Sequence, residues 1–357
     1  PLASGFLAEQ YETLSRRVQG IQLLEQCPEE TRARILATGE GFSSRLMVDV
    51  LGNRGLRAQW SDTDVLPLAN ESWLDSLIDI EAAAPLLKKR LDTDSQVIVL
   101  PGFYGRNARG EIQLLGRNGT DYSAAAIAAA AGAGLCQIWK DVDGFFTADP
   151  RIVRNARCLG EVSYDEAMEL TYFGAKVISA KALTPLAANN IPCEVRNTYD
   201  PSQPGTLVHG EAKRAEVVRG ISHLHDVSSI TMQGGGLRGR VGIARRVMDA
   251  LASESISILL IVQSSSEYSI TLCVRKVDER KARRALDEEF HFERLHGLIE
   301  DIAVQSDRAV VSLVGEGMKH ARGIAARFLT AISSAGVNVE VIAQGSTECA
   351  IAVVVRG

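Results

Sequence analysis

From position 6 to 27 apolar residues recur at helical spacing. Positions 29 to 51 continue in that mode with Ile35, Leu36, Leu46 and Val50, so two successive amphipathic helices are predicted. Val97-Ile-Val-Leu100 is instead a short unbroken apolar run closed by Pro101-Gly102, the pattern of a strand buried on both faces. Residues 112–115, 136–139 and 192–195 read as further strands, with the Ala-rich 122–132 and then 164–183 as intervening helices. Such alternation predicts an α/β domain with helices laid against a sheet. The turn sequence Asp200-Pro-Ser-Gln-Pro-Gly205 and the charged run 211–216 place a boundary near 205–220.

Beyond that boundary the pattern repeats. At an offset of 81 residues Gly234 falls on Gly315, Gly236 on Gly317, Gly242-Ile-Ala244 on Gly323-Ile-Ala325 and Arg246 on Arg327. The register continues without a gap through Gln263 on Gln344 and Glu267 on Glu348. Each copy reads as strand, Gly-rich turn, amphipathic helix, strand, polar turn, strand; in the first these are 230–232, 241–251, 256–262 and 268–274. A strand and helix followed by a hairpin gives a small αβ sandwich, and two copies can join their sheets. Gly234-Gly-Gly-Leu-Arg-Gly239 also satisfies the dinucleotide pattern GxGxxG. Its repeat partner lacks the third Gly, and the next strand of each copy ends in Gln where a ribose-binding acid belongs, so a turn with amides open to a small ligand is expected instead.

Composition narrows the chemistry. With 39 Lys plus Arg against 44 Asp plus Glu, the net charge of −5 offers no electrostatic footprint for nucleic acid. The longest small-apolar stretch, 124–136, falls short of the roughly 18 residues that a membrane span requires. Six Cys lie far apart with no CxxC pair, as expected of reduced, buried thiols in a cytoplasmic protein. All six His follow position 208, so the first 208 residues offer no His base, no Ser-His-Asp triad and no His metal site. His223 and His225 fall on one face of a strand, too few donors to argue for a metal.

The most informative stretch is Gly116-Arg-Asn-Gly-Thr-Asp121. It lies between a strand and the Ala-rich helix, where backbone amides and the helix dipole converge on a place an anion can occupy. Gly116 and Gly119 permit close backbone approach, Thr120 or Asp121 is expected to cap the helix, and Arg117 adds a fork suited to a carboxylate. Asp141 and Asp143 flank a turn, Asp149-Pro150-Arg151 forms another, and Lys176 is expected late in a helix within Phe173-Gly-Ala-Lys-Val177. Basic groups at 151 and 176 suit a polyphosphate, and the aspartates suit a ribose or a hydrated Mg²⁺. Glu40, in Thr38-Gly-Glu-Gly41, can hold an amino group.

Taken in order, Gly39-Glu40, Gly116 to Asp121, Lys140-Asp-Val-Asp-Gly144, Asp149-Pro-Arg151 and Phe173 to Val177, followed by a tandem repeat, resemble the aspartate kinases of the amino-acid kinase superfamily. Val262-Gln-Ser-Ser-Ser-Glu-Tyr-Ser269 and Ala343-Gln-Gly-Ser-Thr-Glu348 are most similar to the threonine-sensitive enzymes in which the kinase is fused to homoserine dehydrogenase. The resemblance implies an α/β/α amino-acid kinase sandwich over 1–210, short of its N-terminal part. Two ACT-type ferredoxin-like βαββ modules, 211–305 and an incomplete 306–357, would follow it.

It implies ATP-dependent phosphorylation of the β-carboxylate of L-aspartate. Arg117, Glu40 and Thr120 would bind aspartate, and Asp121, with Arg117, would serve the reacting centre. Lys140, Asp141, Phe146, Arg151 and Lys176 would bind ATP, which brings Mg²⁺ with it; no resident metal is implied. Gln263 and Gln344 would contact an effector, expected to be threonine, and the ACT modules would support a homo-oligomer. Three departures stand out. The opening strand and Lys-Phe-Gly-Gly loop of the family do not precede Pro1, so the chain is expected to be a fragment and poorly active by itself. Ser179-Ala180 replaces the usual His-Pro. Lys140 and Phe146 stand where the family has Thr and Tyr. The competing expectation is a non-catalytic amino-acid sensor carrying a relic kinase domain.

Overall fold

The computed structural model describes residues 2–175, 177–210, 216–345 and 347–357. In chain order its first elements are α1 (Leu2–Leu24), α2 (Glu29–Asn53), β1 (Ala58–Trp60), α3 (Ile80–Leu91), β2 (Val97–Val99), β3 (Tyr104–Arg106), β4 (Ile112–Leu114) and α4 (Gly119–Ala131). There follow β5 (Cys136–Lys140), β6 (Glu161–Val162), α5 (Tyr164–Tyr172), α6 (Ala180–Ala188), β7 (Cys193–Asn197) and β8 (Thr206–Val208). Helices α1, α2 and α4 and strands β2, β4, β5 and β7 fall where periodicity placed them, whereas α3 has no counterpart in that reading. Two compact units divide the chain: Pro1–Phe145 with Cys158–Met168 and Lys176–Ala212, and Phe146–Arg157 with Glu169–Ala175 and Lys213–Gly357.

Small residues govern packing in the first unit. Ala33 and Ala37 of α2 are buried against Tyr104 and Leu114, and Gly41, one turn on, faces the Tyr104 hydroxyl, so α2 lies close on the β3–β4 hairpin. In α4, Ala125, Ala126, Ala128 and Ala129 are buried, which lets α3 and α6 approach it closely. The strands form a parallel β1–β2 pair, the antiparallel β3–β4 pair and a four-stranded sheet ordered β5-β7-β8-β6. Parallel pairing of β5 with β7 sets Cys136 opposite Cys193 and Lys140 opposite Asn197. Cys136, Cys193, Cys273 and Cys349 are buried free thiols, whereas Cys27 and Cys158 are exposed, against the expectation that all six are buried.

One predicted helix is two. The span 164–183 breaks at Phe173-Gly174, where Gly174 takes φ +129° and a Cβ would collide with the carbonyl oxygen of His223. Ser179 then opens α6 by accepting a hydrogen bond from the Ala182 amide at 3.3 Å. Phe173–Ala175 and Val177 therefore stand outside both helices rather than in a late helical turn.

The second unit is built from β9 (Gly220–Gln233), α7 (Ile243–Ser253), β10 (Leu260–Gln263), β11 (Ser269–Arg275), α8 (Glu279–Glu289) and α9 (His291–Leu295). It is completed by β12 (Ala303–Val314), α10 (Ile324–Ser334), β13 (Val339–Gln344) and β14 (Ala350–Arg356). The two repeat copies join into one six-stranded sheet ordered β10-β11-β9-β12-β14-β13, with β9 and β12 antiparallel at its centre. Asp226 and Asp307, equivalent by the repeat, take φ +58° and +57° where this central pairing shifts register. The face bearing Ile230, Met232, Ile270 and Leu272 packs on α7 and α8, and Ile351 and Val353 pack on α10. On the opposite face Phe173, Leu260, Cys273, Ala352 and Val354 share one apolar cluster, against which Val262 and Val341 pack.

The glycines of the GxGxxG stretch have a packing purpose. Gly234 and Gly236 abut the backbone of Leu298, and the Gly236 amide donates to the Leu298 carbonyl at 2.7 Å; in the second copy Gly315 and Gly317 abut Val217 in the same manner. The Gly239 amide donates to Glu267 at 2.9 Å, so these amides are not left open to a ligand as the sequence pattern predicts.

Module 1 has a buried ion pair between its helices. Arg246 of α7 donates to Glu293 Oε1 and to Glu289 Oε1, each at 2.6 Å, with its guanidinium 4.4 Å from the centre of the Phe290 ring. Glu293 is 4% exposed, and its carboxyl is held below the usual range by that hydrogen bond. Arg246→Met leaves this carboxylate with only the more distant Arg240, 3.9 Å away, and is expected to cost about 2–3 kcal/mol. A thermal melt should show Tm lowered by about 5–10 °C; an unmoved Tm removes the pair from the list of stabilising contacts.

Candidate active site

Sequence-distant candidates meet at the N-terminus of α4. The packing of α2 on the β3–β4 hairpin carries Glu40 to Thr120, whose hydroxyl donates to Glu40 Oε1 at 2.7 Å across 80 residues of sequence. Asp121, the next residue, receives Lys140 Nζ at 2.9 Å from the end of β5; their side chains are 12% and 23% exposed. Thr120 and Asp121 thus serve tertiary contacts and not the capping expected of them. The capping position falls to Asn118, which takes φ +56° and makes no side-chain cap. Helix α4 therefore starts with amides uncommitted to a side chain, the condition under which a helix terminus favours an anion.

Arg117 stands on the turn between β4 and α4. Its side chain is exposed and, among the described residues, makes no hydrogen bond or ion pair. A guanidinium with no partner beside an open helix terminus and next to a Thr–Glu contact is equipped to bind a small amphoteric molecule: anion to Arg117, ammonium to Glu40. The turn itself is tightly built. Gly116 takes φ +78°, and a Cβ there would collide with Asp75 Oδ1. Gly102 and Gly119 are likewise crowded by Thr120 and Phe103.

The other candidates divide. Asp141 follows Lys140 and is exposed, while Asp143 accepts a hydrogen bond from Asn197 Nδ2 at 2.6 Å. Phe146 and Arg151 lie in the second unit. Arg151 is bound to Asp149 at 2.7 Å, and this hydrogen bond holds the Asp149 carboxyl down to about 2. Lys176 lies outside the described residues. Gln263 and Gln344 are both exposed and end β10 and β13, the two outer strands of the six-stranded sheet. Sequence reasoning passed over Lys181 and Asp75, which meet at 2.6 Å behind Gly116. No local motif marks them, because their partners lie 66 to 106 residues away. Among the described residues no helix is long and apolar enough to cross a membrane.

Residues 4–197 match the amino acid kinase family, and residues 230–290 and 311–357 match the ACT domain. A bifunctional aspartokinase/homoserine dehydrogenase of Haemophilus influenzae is 43% identical over 325 residues, covering 91% of this chain and 40% of that protein. Its counterpart in Buchnera aphidicola is 34% identical over 356 residues, covering 98% and 43%. The chain spans less than half the length of these relatives. Among solved structures, E. coli aspartokinase III in complex with aspartate and ADP, in its R-state, gives a TM-score of 0.83 at 27% identity, over 99% of this chain and 78% of that one. The T-state of the same enzyme, in complex with lysine and aspartate, gives 0.80 at 28% over 100% and 78%.

Proposed function

This chain belongs to the amino acid kinase family, and from that membership we propose that it is the kinase and regulatory part of an aspartate kinase, which transfers the γ-phosphoryl group of MgATP to the β-carboxylate of L-aspartate. The observation that carries the reading is the meeting of Glu40, Thr120, Asp121 and Lys140 beside Arg117, which has no hydrogen-bond or ion-pair partner among the described residues. Arg117 binds a carboxylate of aspartate, Glu40 its ammonium, and Thr120 fixes the Glu40 carboxylate. Asp121 and Lys140 form a charged pair next to this pocket. The nucleotide reaches the enzyme with its Mg²⁺, and Asp141, Phe146, Arg151 and Lys176 are its proposed contacts.

A carboxylate oxygen of aspartate attacks the γ-phosphorus, and the bond from that phosphorus to the β,γ-bridging oxygen breaks. ADP leaves with that oxygen, and an acyl phosphate results. The nucleophile is ionised at neutral pH and no proton has to be removed, in keeping with a first domain that has no His before position 209. The protein's part is alignment and charge neutralisation. The test is hydroxamate formation when the full-length protein is given L-aspartate, MgATP and hydroxylamine. A protein that forms none, and whose Tm does not respond to MgATP, is an amino-acid sensor instead.

The effector is proposed to be threonine, bound near Gln263 and Gln344. These residues occupy equivalent ends of equivalent strands, and the segments 262–269 and 343–348 that contain them resemble the threonine-sensitive type. Threonine should inhibit where lysine does not, and Gln263→Ala should abolish that response with uninhibited turnover unchanged. Inhibition by lysine alone reverses the assignment. Association with a second copy through the regulatory modules is part of this proposal, to be checked by sedimentation.

A further inference from the structure

Lys181 occupies the first turn of α6, on a helix whose packing is supplied by buried Ala182, Leu183 and Leu186. Its side chain, 25% exposed, nevertheless turns its ammonium into the protein. It donates to Asp75 Oδ1 at 2.6 Å, to the Ser76 carbonyl at 3.1 Å and to the Leu115 carbonyl at 2.8 Å. An ammonium has three donors, and all three are used. The Tyr122 ring lies 4.9 Å from Nζ, and the Tyr122 hydroxyl accepts from the Ile78 amide at 3.0 Å. One lysine therefore joins the 75–78 loop, the end of β4 and the first turns of α4.

The acceptors determine what this joint controls. Leu115 is the residue immediately before Gly116-Arg117-Asn118. The Asp75 carboxylate held by Lys181 lies against the face of Gly116 where a side chain would stand. Asp75 and Leu115 also form a β-bridge, and the Ser76 amide donates to Leu114 at 2.7 Å. Two adjoining left-handed positions, Gly116 and Asn118, set the direction of Arg117, and such a turn keeps its shape only if its surroundings hold it.

We propose that Lys181 is a positioning residue for the carboxylate-binding turn: by holding the Leu115 carbonyl and the Asp75 carboxylate it fixes Gly116–Asn118 and so aims Arg117 at the substrate. The proposal rests on the reading of Arg117 as the aspartate clamp. Lys181 does not itself touch substrate, since its donors are spent on the protein.

The test uses Lys181→Met and Lys181→Arg in the full-length protein. Lys181→Met should raise KM for L-aspartate about tenfold, with kcat and KM for MgATP within about threefold of the parent. Lys181→Arg, which keeps charge and donors, should recover most of that loss. Hydrogen exchange without substrate supplies the readout a merely structural role would not move: in Lys181→Met, amides 115–121 should exchange faster while those of the second unit do not. A folded Lys181→Met protein with the parent's KM for aspartate overturns the proposal, as does a raised KM with unchanged exchange at 115–121. If the parent protein does not phosphorylate aspartate, the functional reading fails by itself and exchange alone decides whether Lys181 holds the turn. Should Lys181→Met not fold, Asp75→Asn, at a side chain 72% exposed, must produce the same KM and exchange changes or the proposal falls.

Discussion

Arg117→Ala is expected to raise KM for L-aspartate about 10- to 150-fold, with KM for MgATP unchanged within about twofold. The magnitude follows from the loss of charge-assisted hydrogen bonds worth about 1.5–3 kcal/mol, at about 1.4 kcal/mol per tenfold. Two features of the structure make the outcome clean. Arg117 is exposed and makes no hydrogen bond or ion pair among the described residues, so its removal breaks no polar contact there and leaves no buried charge behind. The turn's shape is held by Gly116, Asp75 and Lys181, not by the Arg117 side chain. Arg117→Lys keeps the charge and loses the fork, and should fall between the two. Steady-state kinetics with aspartate varied at saturating MgATP decides it; a KM within twofold of the parent removes Arg117 from the pocket.

That such a residue was visible from sequence alone, and Lys181 was not, reflects how far each depends on distant partners. The Arg117 turn is marked locally: glycines, a polar run and an Ala-rich helix stand within ten positions, so the motif is legible even though distant partners hold its shape. Helices α2 and α4 and strands β5 and β7 were legible for the same reason, as was the tandem repeat, whose two copies keep one register through every element. The two- and three-residue strands β1, β3, β6 and β8 were not, since only partners brought by the fold make them strands. Neither was the break at Gly174, set by the backbone of His223 some fifty residues on. The Gly-rich turns at 234 and 315 misled in an instructive way. Their glycines are required by close backbone approach to Leu298 and Val217, a demand that a GxGxxG pattern cannot distinguish from a ligand's.

The Asp121–Lys140 pair carries the second large prediction. Asp121→Asn is expected to lower kcat about 100- to 1,000-fold, the scale on which removal of one preorganised electrostatic group acts, with KM for aspartate changed far less. The substitution preserves shape but leaves Lys140 without its carboxylate in a site where both side chains are largely shielded. Lys140→Met produces the converse defect, a carboxylate with no counter-charge facing two anionic substrates, and should also slow turnover. Because each single change leaves an unpaired charge, the double variant should be no worse than the poorer single one, and the double-mutant cycle should show a coupling of about 1 kcal/mol or more. Lys140→Thr, the residue that the family resemblance leads one to expect at this position, separates two roles for the lysine. If Lys140 serves only to balance Asp121, the threonine variant should resemble Lys140→Met. A threonine variant as fast as the parent would show that Asp121 needs no cation there. Strict additivity in the cycle would mean that the two residues act independently, and the ion pair at the head of α4 would then be a feature of the resting protein rather than of its reaction.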